Sequence, residues 1–278
     1  MNIIVTSLLV LGCIAVIAAL ILYLVARKFA VYENPLIDEI AEVLPGANCG
    51  GCGYAGCRAM AEACVKSGKL ERDYCPVGGQ EVMQRVAALL GVEATVSAPK
   101  VAVLLCNGTN ACRPKLTTYT GAKRCAIAHT TYAGETGCKF GCIGFGDCAM
   151  ACAFGALSID EATGLPVIDE DKCTACGACV KACPKLLLQL RKKGPKNRKV
   201  LVACKNQDKG AVARKACSSA CIGCSKCVKE CNFDAIVVEN NVAYIDDNKC
   251  KLCRKCVAVC PTGAIHAVNF PVKKDENI

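Results

Sequence analysis

The chain has 278 residues, of which 27 are cysteine, none is tryptophan and only 5% are aromatic. That composition excludes a single large apolar core and favours several small modules in which bound metal replaces part of the core. A formal net charge of +10 would ordinarily suggest a nucleic acid or an acidic surface as partner, so the cysteines have to be read before the charge is. Disulfides do not explain them: the count is odd, no cleavable secretory signal is evident, and the spacings are those of metal sites.

From Ile3 to Val25 no residue is charged and Leu, Ile, Val and Ala dominate, enough to cross about 30 Å of hydrocarbon as a helix. Residues 1–28 are therefore predicted to form a single transmembrane anchor. No Lys or Arg precedes the apolar run and no small-x-small cleavage site follows it, which argues against a signal peptide. Arg27 and Lys28 come directly after the run, so the positive-inside rule places the rest of the chain on the cytoplasmic side of a bacterial cytoplasmic (inner) membrane. Cys13, inside the span, reads as a small apolar residue.

Residues 33–90 read as a compact helical unit, with Leu36, Ile37, Ile40, Ala41 and Leu44 at helical spacing ahead of a glycine-rich turn. In that turn Cys49, Cys52 and Cys57 sit among glycines that let backbone N–H groups approach sulfur. Cys75, followed by Pro76, offers a fourth thiol, and Cys64 is an alternative to it. The pattern C-x2-C-x4-C-x17-C resembles the N-terminal 4Fe-4S domain of the B subunit of Rnf-type ion-translocating complexes, a domain also seen in corrinoid iron-sulfur proteins. That resemblance implies Cys75, rather than Cys64, as the fourth ligand.

Bacterial ferredoxins carry two runs of C-x2-C-x2-C-x3-C-P, and the fourth cysteine of each run ligates the other run's cluster. Cys173, Cys176, Cys179 and Cys183 with Pro184 match one run, and Cys250, Cys253, Cys256 and Cys260 with Pro261 match another. Zinc ribbons do not need a third and fourth cysteine packed so closely. A third run, Cys221, Cys224, Cys227 and Cys231, pairs with the run at Cys250. One cluster is then expected on Cys221, Cys224, Cys227 and Cys260, the other on Cys231, Cys250, Cys253 and Cys256. Ala235–Val238 and Val242–Ile245 flank Asn240-Asn241, a hairpin signal.

The segment Cys138–Cys152 aligns without gaps on Cys217–Cys231, so the module is duplicated. Phe145 stands where Cys224 would, which leaves the upstream copy one ligand short, and Cys138 is the candidate replacement. The expected sets are Cys138, Cys142, Cys148 and Cys183 for one cluster and Cys152, Cys173, Cys176 and Cys179 for its partner. Cys106, Cys112, Cys125, Cys204 and Cys217 remain. Cys125 precedes Cys138 by the interval that separates Cys204 from Cys217. These five read as buried small residues, with a sixth cluster drawn from them as the sharper alternative.

The fold class expected is α+β, a small multi-module iron-sulfur protein. An anchor (1–28) and a helical 4Fe-4S domain (33–90) precede a first ferredoxin-like module with an N-terminal extension (100–190). A solvated basic linker (191–200) leads to a second ferredoxin-like module (201–270). At least five 4Fe-4S clusters follow, and at roughly −2 each they would cancel about ten positive charges, which removes the reason to expect nucleic acid. His129 and His266 are isolated, and no nucleophile–base pair, Walker loop or dinucleotide fingerprint is present. No independent catalytic site and no direct NAD binding are expected.

Anchor, Cys49–Cys75 domain and tandem ferredoxin modules together resemble the Rnf B subunit over essentially the whole chain. The resemblance implies an electron-transfer subunit of a membrane-bound ferredoxin:NAD+ oxidoreductase that moves Na+ or H+. Its implied partners are soluble reduced ferredoxin and the other Rnf subunits in the membrane. The related Rsx machinery, which reduces an iron-sulfur regulator instead, is the alternative destination for the electrons.

Overall fold

A computed structural model describes residues 3–28, 34–70, 74–93, 98–131 and 134–271. The start of the helical unit expected at 33 lies outside these residues. Helix α1 (Ile3–Lys28) has 26 residues, about 39 Å at 1.5 Å each. From Val5 onward its apolar side chains are exposed on all sides. A helix that is hydrophobic all round and covered by no protein calls for lipid. This span anchors the chain to a membrane.

The next module is built on three helices, α2 (Leu36–Val43), α3 (Cys57–Ser67) and α4 (Gly79–Leu90). Their apolar stripes meet in a core of Ile40, Met60, Ala61, Cys64, Met83 and Val86. Gly68 (φ +61°) and Gly91 (φ +67°) end α3 and α4 in the left-handed conformation that closes a helix.

Each ferredoxin module is two antiparallel strand pairs bracketing short helices. In the first, β1 (Lys100–Leu104) pairs with β4 (Leu188–Lys192), and β2 (Leu157–Asp160) with β3 (Leu165–Ile168). In the second, β5 (Lys199–Val202) pairs with β8 (Ile265–Val268), and β6 (Ile236–Glu239) with β7 (Val242–Ile245). The β6–β7 turn is Asn240-Asn241, both residues at positive φ, 48° and 63°, as a tight hairpin turn requires. Helices of a single turn carry the third cysteine of each run: α6 (Asp147–Met150), α7 (Ala178–Ala182), α9 (Lys226–Lys229) and α10 (Lys255–Ala258). Two further helices, α5 (Cys125–Thr131) and α8 (Gly210–Ala216), lie upstream of α6 and α9 respectively.

The two modules share a seam of Val101, Val103 and Leu105 against Leu201 and Ala203. The basic run expected as a solvated linker is drawn into this arrangement. Arg191 is 4% exposed, donates to the Ile245 carbonyl at 2.6 Å and stacks on Tyr244 at 4.7 Å. Lys199, equally buried, pairs with Glu170 at 2.6 Å. Strand pairing at both ends of the run overrides its charge, because β4 and β5 reach inward to Lys192 and Lys199.

Candidate iron-sulfur centres

In the N-terminal module Asn48 fixes the cysteine loop at the start of α3: its Oδ1 accepts from the Cys57 N–H at 2.8 Å. Gly50 (φ +66°) and Gly53 (φ +94°) turn the backbone between the thiols. Cys75 is buried; its N–H donates to Met83 Sδ at 3.3 Å and its Sγ accepts from the Gly78 N–H at 3.3 Å. Burial raises the Cys75 pKa and the nearby charges of Cys52 and Cys57 add to that, opposed by the N–H groups of Gly78 and Val77. Cys64, fully buried, packs among the helices instead.

In the second ferredoxin module Cys260 lines a cavity together with Cys221, Cys224 and Cys227. Beside it, burial and then the charges of Cys250, Cys253, Cys227 and Cys231 push Cys256 up to about 12. The first module repeats the second arrangement: burial, then Cys173, Cys176, Cys148 and Cys152, push Cys179 up to about 11.

The remaining first-module cavity is lined by Cys125, Cys142, Cys148 and Cys183, without Cys138. Asp147, 5% exposed, holds Cys125 there. One carboxylate oxygen accepts from the Cys125 N–H at 2.9 Å and from Arg124 Nε at 3.1 Å, and the other accepts from the Ala126 N–H at 3.1 Å. The Asp147 pKa is lowered by these bonds despite its burial. Phe145, in the place of a ligand, lies 5.7 Å from the Tyr119 ring.

Cys138 lines a different cavity, together with Cys106, Cys204 and Cys217. Two of these thiols come from each ferredoxin module. Burial and then the charges of Cys106 and Cys217 raise Cys138, net of the N–H groups of Phe140 and Gly141, while burial above all pushes Cys204 up to about 12. Asn206, 1% exposed, points its Nδ2 at Cys138 Sγ at 3.5 Å. Cys112 stands aside, hydrogen-bonded to Thr109, which with Ser219 and Ser218 lowers its pKa.

Arg113 lines this cavity at 5% exposure, its guanidinium donating to the carbonyls of Gly108 and Cys142. Among the described residues no carboxylate lies within ion-pair reach of it. A buried cation needs a counter-charge, and the thiols around it supply one once deprotonated. Thiols that raise one another's pKa in this way are poorly disposed to be anionic unless a metal core takes the place of their protons. The all-sulfur donor sets fit thiolate-held iron-sulfur clusters, and among the described residues no three such donors converge as closely as a single ion would need.

Beyond burial, charge on Cys148 raises the Cys179 pKa, Cys106 raises Cys142, Cys221 raises Cys204 and Cys227 raises Cys256, so thiols of successive groups lie near one another. The structure places Cys125, not the expected Cys138, on the cavity of Cys142, Cys148 and Cys183. The usable signal was the strand motif Lys-Val-x-Val before Cys106 and before Cys204, which makes Cys106, not Cys125, the counterpart of Cys204.

An Fe-S cluster family model matches residues 44–77, and 4Fe-4S dicluster domain models match 141–186, 220–264 and 165–232. The last of these spans both ferredoxin modules, whereas the strand pairing joins 220–264 as one unit. The chain is 44% identical over 92% of its length to the B subunit of the Na(+)-translocating ferredoxin:NAD(+) oxidoreductase complex of Acetobacterium woodii, covering 75% of that protein. It is 42% identical to the B subunit of the ion-translocating oxidoreductase complex of Methanosarcina acetivorans, over 95% of this chain and 98% of that one. The B subunit of the proton-translocating ferredoxin:NAD(+) oxidoreductase complex of Clostridium ljungdahlii is 44% identical, over 96% and 94%. This chain belongs to the Rnf B-subunit family. As a member of it, the chain is an electron-transfer subunit of an ion-translocating oxidoreductase complex.

Proposed function

We propose that this chain relays electrons from reduced ferredoxin, on the cytoplasmic side, through six 4Fe-4S clusters to membrane partners, in a complex that reduces NAD+ and moves Na+ or H+. The observation that carries the count is the cavity lined by Cys106, Cys138, Cys204 and Cys217 together with the buried Arg113. The other ligand sets are Cys49, Cys52, Cys57 and Cys75; Cys152, Cys173, Cys176 and Cys179; Cys125, Cys142, Cys148 and Cys183. Cys221, Cys224, Cys227 and Cys260 form the fifth set, and Cys231, Cys250, Cys253 and Cys256 the sixth.

A bound 4Fe-4S cluster supplies one-electron chemistry with little rearrangement. The protein's own residues do the rest. The short helices and left-handed turns hold each thiol in place, the module cores exclude water, and Arg113 and the Asn206 amide favour added negative charge at the central quartet. Cys224 and Cys253, both exposed, bring the C-terminal sets close to solvent, where a soluble donor can reach them. The N-terminal set follows α1 in sequence, on the side of the membrane that Arg27 and Lys28 mark as cytoplasmic.

The test is iron analysis of the full chain in detergent, followed by stopped-flow mixing with chemically reduced ferredoxin without NAD+. About 24 iron atoms per chain and fast, salt-sensitive bleaching are expected, at four per cluster. An iron count near 20 would remove the sixth site, and absence of bleaching in iron-replete protein would move ferredoxin to another subunit.

A further inference from the structure

Gly51 sits between Cys49 and Cys52, yet it differs from the other glycines of that loop. Gly50 and Gly53 have left-handed backbones; Gly51 does not. Its constraint is space. A Cβ there would stand 2.8 Å from the Cys176 carbonyl oxygen, 2.9 Å from Cys176 Cα and 3.0 Å from Pro76 Cγ. The first two atoms are backbone of a different module and cannot yield by a rotamer change. The contact thus joins the loop of the N-terminal quartet, and the residue after Cys75, to a cysteine of the first ferredoxin module.

Around this contact the modules are not closely packed. A cavity of about 410 Å³ lies beside it, lined among others by Tyr74, Gln80, Lys100, Thr174 and Lys193. Gln80 Oε1 and Thr174 Oγ1 have no protein partner, so the cavity is polar and roomy enough to hold water. At the edge of this cavity Gly51 stands directly against the Cys176 backbone.

We propose that Gly51 is a positioning residue for electron transfer: its missing side chain lets the N-terminal quartet's loop touch the Cys176 backbone, making this contact the junction between the anchor-side cluster and the ferredoxin modules. The inference rests on both quartets holding 4Fe-4S clusters. One electron crosses per event, supplied by a low-potential one-electron donor; one side is oxidised and the other reduced by one unit, with no bond made or broken. Electron tunnelling weakens steeply with added distance, so a side chain that pries the backbones apart slows the crossing without removing any ligand.

The test uses the full-length protein with Gly51→Val, Gly51→Ala and, as a control, Ala55→Val, an exposed position in the same loop. Samples reduced with dithionite are compared for iron content and for magnetic interaction between neighbouring clusters by electron paramagnetic resonance. The expected result is unchanged iron in all three. The interaction assigned to the N-terminal cluster is lost in Gly51→Val, weakened in Gly51→Ala and retained in Ala55→Val. Retained interaction in both Gly51 variants would overturn the proposal. So would loss of N-terminal iron in both, which would make Gly51 part of the cluster's own housing. Because dithionite replaces ferredoxin and the unsubstituted protein reports its own iron, failure of the functional reading would show separately.

Discussion

In the second ferredoxin module one cavity is lined by cysteines of the module's own two runs, Cys221, Cys224, Cys227 and Cys260. In the first, Phe145 stands where Cys224 would, and α5 brings Cys125 to the gap. The segment between Cys106 and Cys138 is longer than that between Cys204 and Cys217, and the extra residues carry α5. Lengthening a surface connection costs little, so the duplicated copy could lose a ligand within its motif and recover one from an insertion. Cys138 lies instead with Cys106, Cys204 and Cys217, lining a cavity with two thiols from each module.

The largest effect that tests this comparison is removal of the borrowed ligand. Cys125→Ala is expected to lose the cluster of Cys142, Cys148 and Cys183, about four iron atoms per chain, whereas Cys138→Ala leaves that cluster's resonance signal intact. Adding Phe145→Cys to Cys125→Ala should restore the iron, because it recreates the run found at Cys224. Iron loss from the Cys142 set in Cys138→Ala, with none in Cys125→Ala, would return the assignment to the one expected from sequence.

A second experiment addresses the shared site. Cys138→Ala and Cys217→Ala should each remove the same central cluster, so the double variant loses no more iron than either single one. Residues acting as one unit are non-additive in this way. Additive loss, measured by iron and labile sulfide, would mean that the two thiols serve different centres.

How much of this was legible in the sequence follows the same division. The regular runs at Cys173, Cys221 and Cys250 carry their own geometry, since ligand spacing and a one-turn helix are local. The repeated motif also led to the expectation that Cys260 joins the Cys221 set, and the structure places it on the same cavity. The basic run 191–199 misled only at its ends, because charge is a surface signal and β4 and β5 bury Arg191 on Tyr244 and Lys199 on Glu170, while Lys192 and Lys196 between them are exposed. The separate places of Cys125 and Cys138 were hidden for a related reason. An equal sequence interval suggested that Cys125 corresponds to Cys204, whereas β1 and β5, which pack together non-locally, lead into Cys106 and Cys204.

Arg113 sharpens the contrast between the central quartet and the regular ones, since it lines the central cavity while donating to the Cys142 carbonyl of the neighbouring one. Reduction adds negative charge, which Arg113 favours, so Arg113→Gln should lower the midpoint potential of the central cluster. The expected drop is on the order of 59 mV, the one-electron equivalent of tenfold. Arg113→Lys, which keeps the charge, should recover most of it. Redox titration followed by resonance would check this, and a potential unmoved in Arg113→Gln would place the counter-charge elsewhere.

The smallest effect concerns the second module alone. His266 lies on β8 opposite Leu201 of β5, and burial lowers its pKa from 6.5 although the Gly263 backbone bond partly opposes this. A histidine whose folded pKa is depressed binds its proton first in the unfolded chain. Its contribution to stability is therefore complete above about 6.5 and declines as pH falls through the unfolded value toward the folded one. The β5–β8 pair should loosen on that acid side, and His266→Asn should flatten the slope. Denaturant midpoints of the iron-loaded protein from pH 7.5 down to about 5.5, a window set by the ordinary histidine value, would measure it. An identical slope in His266→Asn would assign the acid sensitivity to the thiolate ligands, which must also be protonated when the clusters are lost.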